Sequence, residues 1–414
     1  MSTSAIKKYP LTSLATARNP IPMYQQMLAD GPVCRTKILF FNKLWLATSW
    51  DAANTVLRDQ ERFGRDPRRV GKRGIAGLPW WVPKRFMRLA NNMLAYDQEE
   101  HRRLRSIADQ AFLRSEVEGL RPRIETICDQ MLDEFENQAS ASQDNTADAL
   151  DILCRQLPLA VICEVLGLPQ EDRPKFTKWF QGFSEIRNML GIVGMLPNLR
   201  KVMSYLEQQF ELLRKNPRPG LLSELVQAES EGERLNSDEL VATSFILLAA
   251  GHETTVHLIS NGLVMFLLNR EQRSLIEADP SLMPSAVDEI LRLGFVVQMS
   301  KPRYVIQDTE FHDVQLRRGE LIAAVFGSAN IDPDKFDSPE TFDITRSPNP
   351  HMTFGTGVHV CLGMKLAKVE ASIALERSLR RFPNLQLAVP DSDIDWSRRI
   401  GMRTLRKLPL RISP

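Results

Sequence analysis

Apolar side chains recur at every third or fourth position through most of the stretch from about residue 99 to 299. Val117, Leu120, Ile124, Ile127 and Met131 are one such series, and the spacing predicts a helical body. Within it, Asn-, Gln- and Ser-rich Glu136 to Ala147 predicts a solvated loop. The pattern shortens on both sides of this body. Lys37 to Ala47 is rich in Ile, Phe, Trp and Leu and predicts a strand pair turning around Asn42-Lys43. Residues of about 30–65 therefore form an N-terminal β-rich part. From about 300 to 414, short strand-like runs (Arg303 to Ile306, Leu321 to Phe326) alternate with turns heavy in Pro, Asp and Gly, and a last helix begins near Gly363. No internal repeat or break in composition appears. The expectation is one domain over residues 1–414, mainly α with a smaller β-rich lobe.

Asn236 to Leu268 predicts one long helix. Asn236 is placed to cap it and Glu239 to complete a capping box. Such a helix is about 50 Å long, enough to cross a domain. Its centre, Ala249-Ala250-Gly251-His252-Glu253-Thr254-Thr255, breaks local preference, because glycine costs about 1 kcal/mol inside a helix. Two readings stand. Either small residues mark a crossing point of buried helices, or Gly251 lets a ligand approach with Glu253 and Thr254 beside it. A zinc-protease motif is excluded by geometry. It needs a second histidine at i+4, whereas His257 lies at i+5, about 140° round the helix from His252.

Composition narrows the class. The chain has 414 residues, with 53 Lys and Arg against 51 Asp and Glu, for a net charge of +2. That balance gives no basic surface of the kind nucleic-acid binding uses. The polar start MSTSAIKKYP and the absence of a long apolar run predict no signal peptide and no transmembrane anchor. Five cysteines without a C-x-x-C pair do not make a disulfide framework, so the expected location is the reducing cytoplasm. Four of the five, Cys34, Cys128, Cys154 and Cys163, sit in apolar contexts and read as packed thiols. Cys361 differs. It lies in Phe354-Gly355-Thr356-Gly357-Val358-His359-Val360-Cys361-Leu362-Gly363, just ahead of a helix. Backbone amides and the helix start there would stabilise a thiolate, fit either for a nucleophile or for a soft ligand to heme iron.

This loop resembles the heme-binding loop of the cytochrome P450 superfamily. Three further segments match in the family's order: Ala250 to Thr255, Glu289-Ile290-Leu291-Arg292, and His101-Arg102-Arg103-Leu104-Arg105 after Tyr96-Asp97. The resemblance implies the P450 fold, with heme b between the long central helix and the cysteine-loop helix. Cys361 would be the metal ligand, and His101, Arg105, Arg303 and His359 would hold the propionates. Thr254 would be the hydroxyl beside the oxygen, and Glu253 the carboxylate relaying protons to it. Glu289 and Arg292 would lock the loop. Where the family often has a third arginine, this chain has Thr341, leaving Arg346 as the substitute or as an ordinary surface arginine. Arg102 and Arg103 read as surface charge or as a docking patch.

The function so implied is O2-dependent hydroxylation or epoxidation of an apolar small molecule. Electrons would come from NAD(P)H through a separate ferredoxin and ferredoxin reductase. Oxidative coupling, peroxygenase chemistry and a non-catalytic heme sensor are the alternatives; the Glu253-Thr254 pair speaks against the last two. Apolar Leu78 to Pro83, with Trp80 and Trp81, and apolar Met189 to Leu196 read as surface loops framing a large greasy substrate. Trp80 and Trp81 could instead touch a membrane surface; Lys72, Arg73, Lys84 and Arg85 read as a solvated basic face or as a hold for a substrate carboxylate.

Overall fold

The computed structural model describes residues 6–38, 41–72, 83–90, 92–114, 117–180, 189–230 and 235–412. Trp80, Trp81 and Arg73 lie outside them, as do the side chains of Lys84 and Arg85.

The long helix spans Ser237–Leu268 without interruption. Asn236 accepts the Glu239 N–H at 2.9 Å, and the Glu239 carboxylate accepts the Asn236 N–H at 3.0 Å, so the capping box is complete. Arg103 adds a charge to that cap through two bonds to Glu239. Arg103 therefore ties the helix Gln98–Arg114 to the start of the long helix and is not free surface charge, whereas Arg102 is exposed. Nearly all of the second half of the long helix is buried, down to Phe266.

The crossing point of this helix is at Gly262 and not at Gly251. A Cβ on Gly262 would lie 2.9 Å from Leu375 Cδ1 and 3.2 Å from Ile290 Cδ1. These belong to the helices Met364–Arg381 and Met283–Leu293. A Cβ on Gly251 would meet only Ile162, at an ordinary 3.5 Å. Close packing thus explains Gly262 and leaves Gly251 to another cause.

The two β-rich parts of the sequence form one sheet. Its six strands run in the order Ile6–Lys7, Val33–Ile38, Phe41–Ala47, Leu321–Ala324, Arg303–Val305 and Phe63–Gly64. The strand pair predicted within Lys37 to Ala47 begins earlier, at Val33, and turns between Ile38 and Phe41. Asn42-Lys43 therefore lies inside the second strand and not in the turn. The pairing of Trp45, Leu46 and Ala47 with Ile322, Ala323 and Ala324 fixes that register and outweighs the local turn signal. The loop expected over Glu136 to Ala147 is shorter too. The helix Arg121–Ala141 runs through its first half, and Thr146–Asp148 joins a small sheet with Pro409–Arg411 and Gln386–Leu387. Residues from Met189 onward open a 27-residue helix, Met189–Lys215, where the sequence suggested a loop.

The Glu289–Arg292 pair is no solvated helix face. Both side chains are 0% exposed. Arg292 bonds both carboxylate oxygens, at 2.6 and 2.8 Å, and donates to the carbonyls of Asn330 and Thr341. Arg346 Nε reaches Glu289 Oε1 at 3.3 Å and its other nitrogens reach Asp337 and Ser338 carbonyls, so Arg346 completes the network. Among the described residues no helix is long and apolar enough to cross a membrane.

Candidate active site

A cavity of about 320 Å³ opens between the middle of the long helix and the Cys361 loop. Ile246, Leu247, Ala250, Gly251 and Thr254 supply one wall, and the stretch from Thr353 to Gly363 supplies another. Gly251 thus borders open space, consistent with the reading in which it admits a ligand.

The loop reaches Cys361 through two glycines at positive φ, Gly355 (+71°) and Gly357 (+74°). A Cβ at Gly357 would also lie 2.8 Å from the Leu57 carbonyl oxygen, so both conformation and space require glycine there. The Cys361 N–H donates to Phe354 O at 3.0 Å and closes the turn. Cys361 is exposed and lines the cavity. Desolvation pushes its thiol above the ordinary value, against the pull of the Gly363 N–H and the Arg105 charge. A metal cation on the sulfur would reverse that balance. The other four cysteines are buried, as expected.

Basic groups gather beside the loop. The His101 and His359 rings touch, tilted 58° to one another with centroids 4.1 Å apart. Arg105 donates to Val360 O at 2.6 Å and pairs with Asp109 at 3.0 Å. Arg303, 0% exposed, reaches Leu57 O at 3.1 Å and Phe63 O at 3.3 Å. Arg105 and His359 line the cavity; His101 and Arg303 stand outside its lining. Two members were not legible from sequence. Arg65 lines the cavity and donates to Leu94 O at 3.2 Å. Asp97 accepts the Arg65 and Asp66 N–H groups at 2.8 and 3.0 Å, with His359 Nε2 at 3.8 Å. Although burial opposes it, those N–H groups hold the Asp97 carboxyl below its usual range. Desolvation, with Arg105 and Arg65 nearby, pushes His101 down to about 4. Desolvation outweighs Asp97 at His359, pushed down to about 3, so both rings are neutral at pH 7. Burial likewise lowers Arg65 to about 9 and Arg303 to about 10.

Arg65 Nε, Arg303 Nε and both His359 nitrogens are buried without a hydrogen-bond partner among the described residues. The two guanidinium N–H groups and the one N–H of the neutral His359 ring cost about 1–3 kcal/mol each in this state. A cavity with a free sulfur on one wall and unsatisfied cationic donors beside it suits a metal-bearing group that also carries carboxylates. The residues present therefore fit heme.

Thr254 Oγ1 lines the cavity and donates to Ala250 O at 2.9 Å. Glu253 is outside the lining. Its carboxylate is gripped by both terminal nitrogens of Arg399, one at 3.2 Å, with about a quarter of each side chain exposed. Nothing in the local sequence around Arg399 announced that role. His252 Nε2 lies 3.1 Å from Arg155 O, whereas His257 is buried with neither nitrogen bonded among the described residues, so the two rings share no partner there.

Comparison with known proteins gives a consistent answer. The cytochrome P450 profile matches residues 199–406. The polyketide biosynthesis cytochrome P450 PksS of Bacillus subtilis is 35% identical over 95% of this chain and 96% of its own. Myxobacterial cytochrome P450 CYP267B1, solved with myristic acid, superposes with a TM-score of 0.88 at 34% identity, covering 98% of this chain and 99% of that one. P450BioI, solved with an acyl carrier protein ligated to hexadec-9Z-enoic acid, gives 0.85 at 30% identity, covering 96% and 100%. With a cysteine loop, a buried Glu-Arg lock and likeness along almost its whole length, the chain belongs to the cytochrome P450 family of heme-thiolate monooxygenases, which bind heme b.

Proposed function

We propose that this protein inserts one atom of O2 into an apolar small molecule, by hydroxylation or epoxidation, with electrons delivered by a separate ferredoxin and its reductase in the cytoplasm. The observation that carries the reading is the single cavity onto which both Cys361 and Thr254 open. Cys361 would bind the iron. Arg65, Arg105 and Arg303 would neutralise the propionates, with His101 and His359 as neutral donors behind them. Heme, when bound, would supply a thiolate-ligated iron centre with the chemistry of O2 activation.

The chain's own groups do the rest. Thr254 Oγ1, bonded to Ala250 O, keeps its lone pairs available on the cavity side and passes protons at that atom. Glu253 stands next in line toward solvent, and Arg399 must loosen its hold before that carboxylate can trade a proton. Ile246, Leu247, Val296, Val297 and Met299 give the cavity an apolar lining that excludes water and favours a greasy substrate. The fatty-acyl ligands of CYP267B1 and P450BioI, and the polyketide pathway of PksS, support a substrate built on a long acyl or polyketide chain.

The test is the carbon monoxide difference spectrum of the dithionite-reduced protein. The far-red-shifted Soret band is expected, and Cys361→Ala should abolish it. Retention of that band in the variant would remove Cys361 as the ligand. Thr254→Ala should keep the band yet lower product formed per NAD(P)H by at least about tenfold, with peroxide released instead. Unchanged product yield would overturn the role given to Thr254.

A further inference from the structure

Lys301 is a cation the proposed mechanism leaves unused. It lines the cavity on the same stretch as the apolar Val296, Val297 and Met299, and it is exposed there. Among the described residues its ammonium has no hydrogen-bond or ion-pair partner. The neighbouring charges offer none. Arg65 and Arg105 are cations, each bonded to a backbone carbonyl. Neither His359 nor Glu370, the one carboxyl in the lining, bonds to Lys301. Lys72 belongs to the basic set that the sequence put forward for a carboxylate, but it is already bonded to Gly319 O at 2.8 Å.

The Lys301 ammonium faces the cavity beside apolar side chains, with no counter-charge from the protein among the described residues. Desolvation, with the like charge of Arg65, pushes Lys301 down to about 8, so it is still mostly protonated at pH 7. Among the described residues the protein itself offers it no anion. The lysine stem is flexible and ends in a point charge, able to follow the end of a chain-like ligand.

We propose that Lys301 anchors the carboxylate of an apolar carboxylic acid, fixing which end of the substrate faces away from the oxidised carbon. This rests on the monooxygenase reading of the cavity and narrows its substrate class to apolar acids. The alternative source of the same chemistry is a heme propionate.

Spin-state titrations of the heme-loaded protein with myristic acid and methyl myristate distinguish the two. The acid is expected to bind about tenfold or more tightly than the ester, the size of one charged hydrogen bond. Lys301→Met should bring the acid to the level of the ester and leave the ester unchanged. Equal binding of acid and ester by the wild type, failure of both to bind, or an acid preference that survives in Lys301→Met overturns the proposal. So does a variant that loses heme or shifts its reduction potential while keeping the acid preference, which would assign Lys301 to a propionate. In each of these cases an intact carbon monoxide band leaves the monooxygenase reading standing, whereas its absence in the wild type defeats that reading first.

Discussion

A carboxyl group with no hydrogen-bond partner and no counter-charge keeps its proton, and Glu370 is in that position. It is 2% exposed, Oε2 has no partner among the described residues, and burial raises its pKa well above the ordinary 4.5. The folded state therefore binds one more proton than the unfolded state at pH values above 4.5, until the folded value is passed. Stability from this group falls as pH rises across that window. Glu370→Gln keeps the shape and removes the penalty. Its gain in Tm over the wild type should be smallest near pH 4 and grow as pH rises above the ordinary carboxyl range; a difference in thermal unfolding that stays constant with pH would show that Glu370 does not titrate there. Glu370 also illustrates what single residues disclose in a sequence. Cys361 was legible because its chemistry needs glycines adjacent in the chain. Glu370, Arg65, Asp97, Lys301 and Arg399 were not, because each acquires its meaning from partners or from missing partners brought in by the fold.

Helices show the same division. The start of the long helix could be read from Asn236 and Glu239, since a cap is closed by neighbours in sequence. Which of its glycines makes the crossing could not, since that depends on Leu375 and Ile290, more than a hundred and about thirty residues away. The two positions should respond oppositely to substitution. Gly262→Leu overfills the junction of three helices and should lower unfolding free energy by about 1–3 kcal/mol. Gly251→Ala meets only Ile162 and should be neutral or stabilising by up to about 1 kcal/mol, while shrinking the cavity. Denaturant titration of both variants checks the contrast. The predicted turn at Asn42-Lys43 failed for a related reason. Turn-forming residues state a local preference, and burial of Leu44, Trp45 and Leu46 in the sheet overrode it.

For the molecule as a whole, the Glu289–Arg292–Arg346 network joins one helix to the 330–346 segment that leads into the cysteine loop. Arg292 also packs on Phe336, 5.2 Å from its ring centre. Arg292→Leu would take two bonds from buried Glu289, which keeps Arg346, the Asp343 N–H and Asn349, and would orphan the carbonyls that Arg292 serves; it should cost about 1.5–3 kcal/mol. The loss should appear both in unfolding free energy and as weaker heme retention. A mainly helical body and a smaller β lobe were legible from periodicity. That the early and late β segments form one sheet was not, because strand pairing across 250 residues leaves no periodic trace.

That sheet has a consequence for synthesis. Phe41–Ala47 lies between Val33–Ile38 and Leu321–Ala324, and Phe63–Gly64 is attached only through Arg303–Val305. At roughly 5–20 residues per second, a ribosome making this chain works for tens of seconds between the first of these strands and the last. Throughout that interval the nascent chain carries an open strand edge that nothing yet translated can cover. Ribosome-bound chains halted before residue 300 should accordingly be sticky and protease-sensitive around residues 41–64, and chains extended past residue 324 and clear of the exit tunnel should not.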